Sequence, residues 1–218
     1  MLEIPDCTLV LVETRDSNKA KRTMEHNLSL CNFKDILFVG SEKINLSVQH
    51  HHYQSNINTI EQYNNFMVHE LPLLIKTKRM LITQTDGYII NPEAWTDNFL
   101  QYDYIGAPWW YFPYNTHPSH GISTPSTCVG NGGFSLRSAE LMRVVGYLTQ
   151  DKNINTSPED LYICRTISPE LVVLGYKFAP EDLALQFSCE DRKYTNQFGI
   201  HGHETLKLNP QKDIHNGK

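Results

Sequence analysis

The sequence predicts a single-domain α/β fold built on a mixed, mostly parallel sheet flanked by helices. Three apolar, β-branched runs point to it: TLVLVE at 8–13, DILFVG at 35–40 and RMLITQ at 79–84. Unbroken runs of this length mark strands buried on both faces, as parallel sheets require. A helical pattern separates the first run from the second, and that order calls for a right-handed crossover between parallel strands. A length of 218 residues suits one domain with an adequate core.

After the first strand, Asp16, Ser17 and Asn18 offer N-caps for a helix over 19–30. The second strand ends at Gly40, and the polar residues 44–58 read as a loop with a short edge strand. Over 59–76, Ile60, Tyr63, Phe66, Met67 and Leu71 share one helical face, and Pro72 ends or kinks the helix. The third strand runs into an Asp86-Gly87 turn, after which YII begins a short strand. Asn91 and Pro92 open a helical turn over 91–100. YDYIGAPWW is a strand leaving for a loop, and 111–127, rich in Pro, His, Ser and Thr, is the candidate mobile loop. VGNGGFSLRS resumes as a strand, and Ser138 caps a helix over AELMRVVGYL. SPEDLYICRTI is a further helix, Gly175 stops the next stretch, and YKFAP is a short strand. From about Tyr194 the chain reads as loop, with 209–218 as a disordered tail after a domain spanning 1–208.

The formal charge of −5 provides no basic field to attract nucleic acid non-specifically, although a local basic patch is compatible with it. Cys7, Cys31, Cys128, Cys164 and Cys189 are scattered and include no C-x-x-C pair. They fit reduced thiols in a cytoplasmic compartment rather than a zinc knuckle or a thioredoxin-type centre. The N-terminus lacks the basic start of a signal peptide, and no run approaches the roughly 18 apolar residues of a membrane span. In that compartment the Asn-x-Ser/Thr sequences at Asn27, Asn45 and Asn155 are chance matches.

Four constellations carry chemistry. In Thr83-Gln84-Thr85-Asp86-Gly87, a carboxylate follows a buried parallel strand, the end where open α/β sheets bind ligands. Its hard oxygens suit Mg²⁺ or Mn²⁺ bridging phosphates, while Asp-Gly is also an ordinary turn pair. Gly130-Asn131-Gly132-Gly133-Phe134 demands a sharp bend or a close approach, so Asn131, Gly132 and Gly133 suit the wall of a sugar pocket or a simple bulge. Ser157-Pro158-Glu159-Asp160 reads as a helix start, whose dipole keeps a carboxylate ionised, and equally as a site for a general base. In Phe198-Gly199-Ile200-His201-Gly202-His203, two imidazoles flanked by glycines are either metal ligands or exposed loop residues. The His50-His51-His52 run has no carboxylate or cysteine beside it and is a poor metal site. Tyr102, Tyr104, Trp109, Trp110, Tyr111, Phe112 and Tyr114 form an aromatic cluster that serves packing or, at Trp109 in particular, sugar stacking.

The series strand-acid, D-Y-I-G-A-P-W, G-N-G-G-F-S-L-R-S, E-D, F-A-P and F-G-x-H-G, running from Ile82 to His203, resembles a bacterial and viral family. Its members are GT-A-like (Rossmann-like) glycosyltransferases, a domain-of-unknown-function group. The Gly-Gly strand followed by P-E-D is also similar to inverting β-galactosyl and fringe-type transferases. The resemblance implies a transferase moving a sugar from a nucleotide-sugar donor, a UDP-sugar favoured, to an acceptor hydroxyl, with inversion. Asp86 then matches the last acid of a D-x-D metal motif whose first acid is here Gln84. His201 stands for the C-terminal histidine ligand of Mn²⁺ or Mg²⁺, with His203 behind it, and Asp160 for the base, with Glu159 beside it. Glu13, Thr14, Arg15 and Thr85 would meet the nucleotide. A second acid pair, Glu181-Asp182, competes for the base role but more simply caps a helix. The acceptor is open between a glycan, another hydroxyl compound and a modified DNA base, and a virus- or phage-encoded enzyme would act in the host cytoplasm. The alternatives are a non-catalytic nucleotide-sugar or carbohydrate-binding protein and a nucleotidyltransferase. The absence of glycine from ETRDSNKAKR counts against the latter.

Overall fold

The computed structural model describes residues 1–109, 129–150 and 158–216. The loop expected at 111–127, the aromatics beyond Trp109, and Cys128, Asn155 and Ser157 lie outside them.

A six-stranded sheet forms the body. Strand β1 (Leu2–Val12) is central, and from Cys7 to Val12 its residues are buried. It pairs in parallel with β2 (Cys31–Gly40), which pairs in parallel with β3 (His51–Gln54) at the edge. On its other side β1 pairs in parallel with β4 (Arg79–Thr83). The connecting helix α1 (Ser17–Leu30) starts where Asp16 accepts the Lys19 N–H, and it buries Ala20, Thr23, Met24 and Asn27, a single stripe. The return helix begins at α2 (Ile60–Asn65), capped by a reciprocal Thr59–Gln62 box. It passes through a π-helical turn, Phe66–Glu70, into α3 (Leu71–Leu74). Pro72 therefore does not end the helix. It lacks the N–H that Val68 would receive, and the Val68 carbonyl lies instead where Gly146 gives it room.

Because the chain runs β1–β2–β3 to one side and then returns to β4 on the other, the carboxyl ends of β1 and β4 flank a topological switch point. Beyond β4 come β7 (Ser135–Ser138), antiparallel to it, and β6 (Tyr104–Gly106), antiparallel to β7. The sheet order is thus β3-β2-β1-β4-β7-β6, parallel except at β7. Helix α4 (Ala139–Thr149) follows β7, with Ser138 accepting the Leu141 N–H. Of the helix expected over 157–167, the described part is a short α5 (Glu159–Leu161) continued by a π-helical turn, Tyr162–Thr166. Pro158 occupies the N-cap position rather than the first helical position. After α6 (Ser168–Val173), the stretch expected as the YKFAP strand makes only a bridge, Tyr104 to Phe178.

A second small sheet completes the fold. It comprises β5 (Gly87–Ile89), β8 (Ser188–Cys189) after helix α7 (Glu181–Phe187), and β9 (Gly199–His201) in the middle. β9 and the following α8 (His203–Leu208) occupy a region expected as loop. Three residues show no periodicity, and β9 exists because β5 and β8 pair with it on either side. Residues 209–216, expected as a disordered tail, pack instead. The Tyr88 hydroxyl donates to the Lys212 carbonyl and receives the Ile214 N–H, and His215 Nε2 donates to the Thr85 carbonyl at 2.8 Å.

The two sheets meet in an aromatic cluster. Phe198, fully buried, lies with its ring centroid 5.1 Å from that of Trp95, 5.9 Å from Phe134 and 5.8 Å from Phe187. This cluster anchors β9 just before His201. Phe198→Ala is expected to destabilise the protein by about 3–5 kcal/mol, read from urea denaturation, because the cavity cannot collapse between two sheets.

Candidate functional site

The switch point opens into a cleft of about 360 Å³. Its floor is the end of β1, Val12 to Arg15, and the turn after β4, Gln84 to Asp86; Ile57–Ile60, Tyr63 and His203 complete the wall. Glu13 is folded inward, accepting the backbone N–H groups of Arg15 (2.7 Å) and Asp16 (3.2 Å). Thr14 donates to the Ile57 carbonyl at 2.5 Å and so closes the side of the cleft. The structure thus brings Glu13, Thr14, Arg15, Thr85, Asp86 and His203 to one cavity.

Thr85 and Asp86 sit at the tip of a two-residue turn closed by reciprocal Gln84 and Gly87 backbone hydrogen bonds of 3.0 Å. Pairing of β5 with β9 sets Gly87 opposite His201, and the Gly202 N–H donates to the Asp86 carbonyl. Asp86 consequently lies between two imidazoles, Oδ1 3.7 Å from His201 Nε2 and Oδ2 3.5 Å from His203 Nε2. His203 is largely exposed, whereas the His201 ring is enclosed. Two glycines make room for it: a Cβ on Gly133 would stand 2.0 Å from His201 Nε2, and one on Gly87 2.7 Å from its Cδ2.

His201 is held from both ends. Its Nδ1 lies 3.1 Å from a Glu190 carboxylate oxygen and its Nε2 3.1 Å from the Gln84 amide oxygen, the amide nitrogen donating to the Tyr63 hydroxyl. Burial alone would weaken the imidazole's hold on a proton. The hydrogen bond and charge of Glu190, with the charges of Asp86 and Asp160, outweigh it and raise its pKa above the ordinary histidine value. Glu190 was not legible as a site residue, because it stands alone between a two-residue strand and a bend.

Behind this ring lies the glycine-rich segment. The Asn131 amide donates to the same Glu190 oxygen and accepts the Gly133 N–H at 2.9 Å. The Gly132 N–H donates to Asp160 Oδ2 at 2.8 Å. Asn131, Gly132 and Gly133 therefore join the histidine side of the site to Asp160 rather than lining the cleft beside β1. Trp109 lies over Gly130, where a Cβ would strike its ring at 2.1 Å, and the Arg165 guanidinium sits 5.0 Å from the ring centroid.

The two acids of the E-D pair divide. Glu159 is 4% exposed and pairs with the fully buried Arg137 at 2.8 Å, so it does not offer a free carboxylate. Removing one member of such a pair costs about 3–5 kcal/mol. Asp160 is partly exposed. Desolvation and the neighbouring Glu159 charge raise its carboxyl to about 7, against the Gly132 and Leu161 N–H groups and Arg137, which lower it. The N–H groups at the helix start thus pull the Asp160 carboxyl down, and desolvation with the Glu159 charge pulls it up further. Glu181 and Asp182 lie exposed in the first turn of α7.

Among the described residues, no group of three or more His, Cys, Asp or Glu side chains is arranged to hold a metal ion. The donor types at Asp86, His201 and His203 nevertheless fit a divalent ion of the Mn²⁺ class. His201 also carries the carboxylate on its second nitrogen that metal-bound histidines commonly have. The His50–His52 run is elsewhere, with His52 stacked on Phe38 at the β3 edge. Among the described residues, no helix is long and apolar enough to cross a membrane.

A mixed, mostly parallel six-stranded sheet flanked by helices, with a cleft at its switch point, defines the class: a single domain with the fold of a glycosyltransferase. That fold is shared with the solved structure titled "Crystal structure of a glycosyltransferase involved in the glycosylation of the major capsid of PBCV-1", at a TM-score of 0.54 and 14% identity. The alignment covers 96% of this chain and 100% of that one. Residues 43–203 match the family described as "Protein of unknown function (DUF5672)", and the chain belongs to that family. No curated protein matches it.

Two outcomes test this geometry. Between pH 3.8 and about 7 the folded chain holds a proton on Asp160 that the unfolded chain has released, so this group's contribution to stability falls as pH rises through that window. Asp160→Asn is expected to remove that slope. Urea denaturation at both ends of the window should show the variant gaining on the wild type at the higher pH. Gly133→Ala is expected to leave the sheet folded by circular dichroism while shifting the His201 ring resonances, since the methyl group occupies the ring's place.

Proposed function

We propose that the protein is a glycosyltransferase that uses a nucleotide-sugar donor, with Asp160 as the base. One observation carries the reading. Glu13–Arg15, Asp86 and His203 line one cleft, His201 stands 3.7 Å from Asp86 behind it, and hydrogen bonds through Glu190 and the Asn131–Gly133 segment tie His201 to Asp160. The shared fold with a glycosyltransferase supports the same reading.

In this reading the nucleoside lies against Glu13, Thr14 and Arg15, and the diphosphate reaches Thr85 and Asp86. A divalent ion held by Asp86, His201 and His203 would supply positive charge to the diphosphate oxygens. Asp160 accepts the proton of the acceptor hydroxyl as that oxygen bonds to the anomeric carbon. The bond from that carbon to the diphosphate breaks on the opposite face, with inversion. A carboxyl titrating near neutrality suits this work, being ionised enough to accept a proton and basic enough to hold it. Arg137 keeps Glu159 occupied, so a single carboxylate is available for the proton transfer.

The test is a screen of UDP-, GDP-, ADP- and TDP-sugars with and without Mn²⁺, read first as a rise in melting temperature and then as donor hydrolysis or transfer. The expected result is turnover that requires Mn²⁺ or Mg²⁺, with kcat rising as pH passes through about 7 and falling by about 10²–10⁴-fold in Asp160→Asn. Gln84, standing where a second carboxylate would face the ion, favours a second reading as a non-catalytic nucleotide-sugar binder. Donor binding without turnover in the wild type over a broad acceptor panel would select it.

A further inference from the structure

We propose that Glu190 is the positioning residue of this site: it fixes the proton of His201 on Nδ1 and ties that ring to the segment that holds Asp160. The inference rests on the reading above only in taking His201 to work in the cleft.

The placement follows from strand register. β8 and β9 pair in parallel, Ser188 with Gly199 and Cys189 with Ile200, so the next residue of each strand, Glu190 and His201, come side by side. Both side chains are enclosed, at 15% and 13% exposure. A carboxylate has only acceptor atoms, so the His201 Nδ1 at 3.1 Å must carry the hydrogen. In the neutral ring, the Nε2 lone pair then points toward Asp86 and Gln84. The Gln84 amide serves this state by rotating to donate to Nε2 and accept from the Tyr63 hydroxyl, since both partners can reverse roles.

The same Glu190 oxygen also accepts the Asn131 amide, whose own oxygen receives the Gly133 N–H. Gly132, between them, donates to Asp160. One carboxylate thus sets the aim of the imidazole and the position of the backbone holding the base. A histidine without such a partner prefers its proton on Nε2, the nitrogen that would have to face a cation.

The experiment uses the full chain, with no sugar donor, so that it is independent of turnover. Ring ¹⁵N resonances of His201 are recorded on the alkaline side of its titration, and Mn²⁺ binding is followed by electron paramagnetic resonance. The wild type is expected to carry the proton on Nδ1. Glu190→Ala is expected to move it to Nε2 and to weaken Mn²⁺ binding by about 10–100-fold. Glu190→Gln keeps an acceptor oxygen and removes the charge. It is expected to retain the Nδ1 proton while weakening Mn²⁺ binding by a smaller factor, and it decides the matter should the alanine variant not fold. A wild-type ring protonated on Nε2 overturns the proposal, whether or not Mn²⁺ binds. So does a folded Glu190→Ala that keeps the Nδ1 proton, or a Glu190→Gln with wild-type tautomer and wild-type Mn²⁺ affinity. Absence of sugar transfer in the presence of these ring signatures would instead count against the functional reading alone.

Discussion

The pairing of Gly87 with His201 is the contact on which the site depends. It joins the turn after the central β4 strand to a segment more than a hundred residues later, and it sets an imidazole beside Asp86. The turn is gripped from behind as well, by Gly202 on the Asp86 carbonyl and His215 on the Thr85 carbonyl. Because those holds fall on backbone carbonyls, the side chains of Thr85 and Asp86 can face the cleft, Asp86 between its two imidazoles. The fully buried cluster of Phe99, Phe134, Phe187 and Phe198 fixes the approach of β9, so the geometry of the site is underwritten by apolar packing close to it.

The buried charges behind the cleft are arranged in a hierarchy. Arg137 and Glu159 neutralise each other at full burial, and Arg137 also donates to the Ser135 hydroxyl and the Gly132 carbonyl. Asp160, next in sequence, is hydrogen-bonded by the Gly132 and Leu161 N–H groups, feels Arg137 through its charge and keeps a partly open face. The adjacent carboxylates thus differ in their partners: Glu159 has a guanidinium at 2.8 Å, and Asp160 has the N–H groups of Gly132 and Leu161. Glu159 anchors this segment through its ion pair with Arg137.

The glycine-rich segment shows which groups make the close approach that its glycines allow. What approaches Gly130 is the Trp109 ring, and what approaches Gly133 is His201. Asn131 likewise turns to Glu190 and Gly133 rather than outward to a sugar.

The sequence by itself determined the central strands, helix α1 and the helix after β7, since long apolar runs and capped amphipathic stripes carry their own signal. It also placed Glu13–Arg15 and Thr85–Asp86 directly after buried strands, whereas the strand order that makes those ends neighbours at the switch point came from the tertiary structure. Only tertiary structure decided the three-residue strands, the packing of residues 209–216, the division between Glu159 and Asp160, and the role of Glu190. Each of these depends on a partner distant in the chain: a strand of three residues has no period, and a carboxylate's proton affinity is set by what surrounds it rather than by what precedes it.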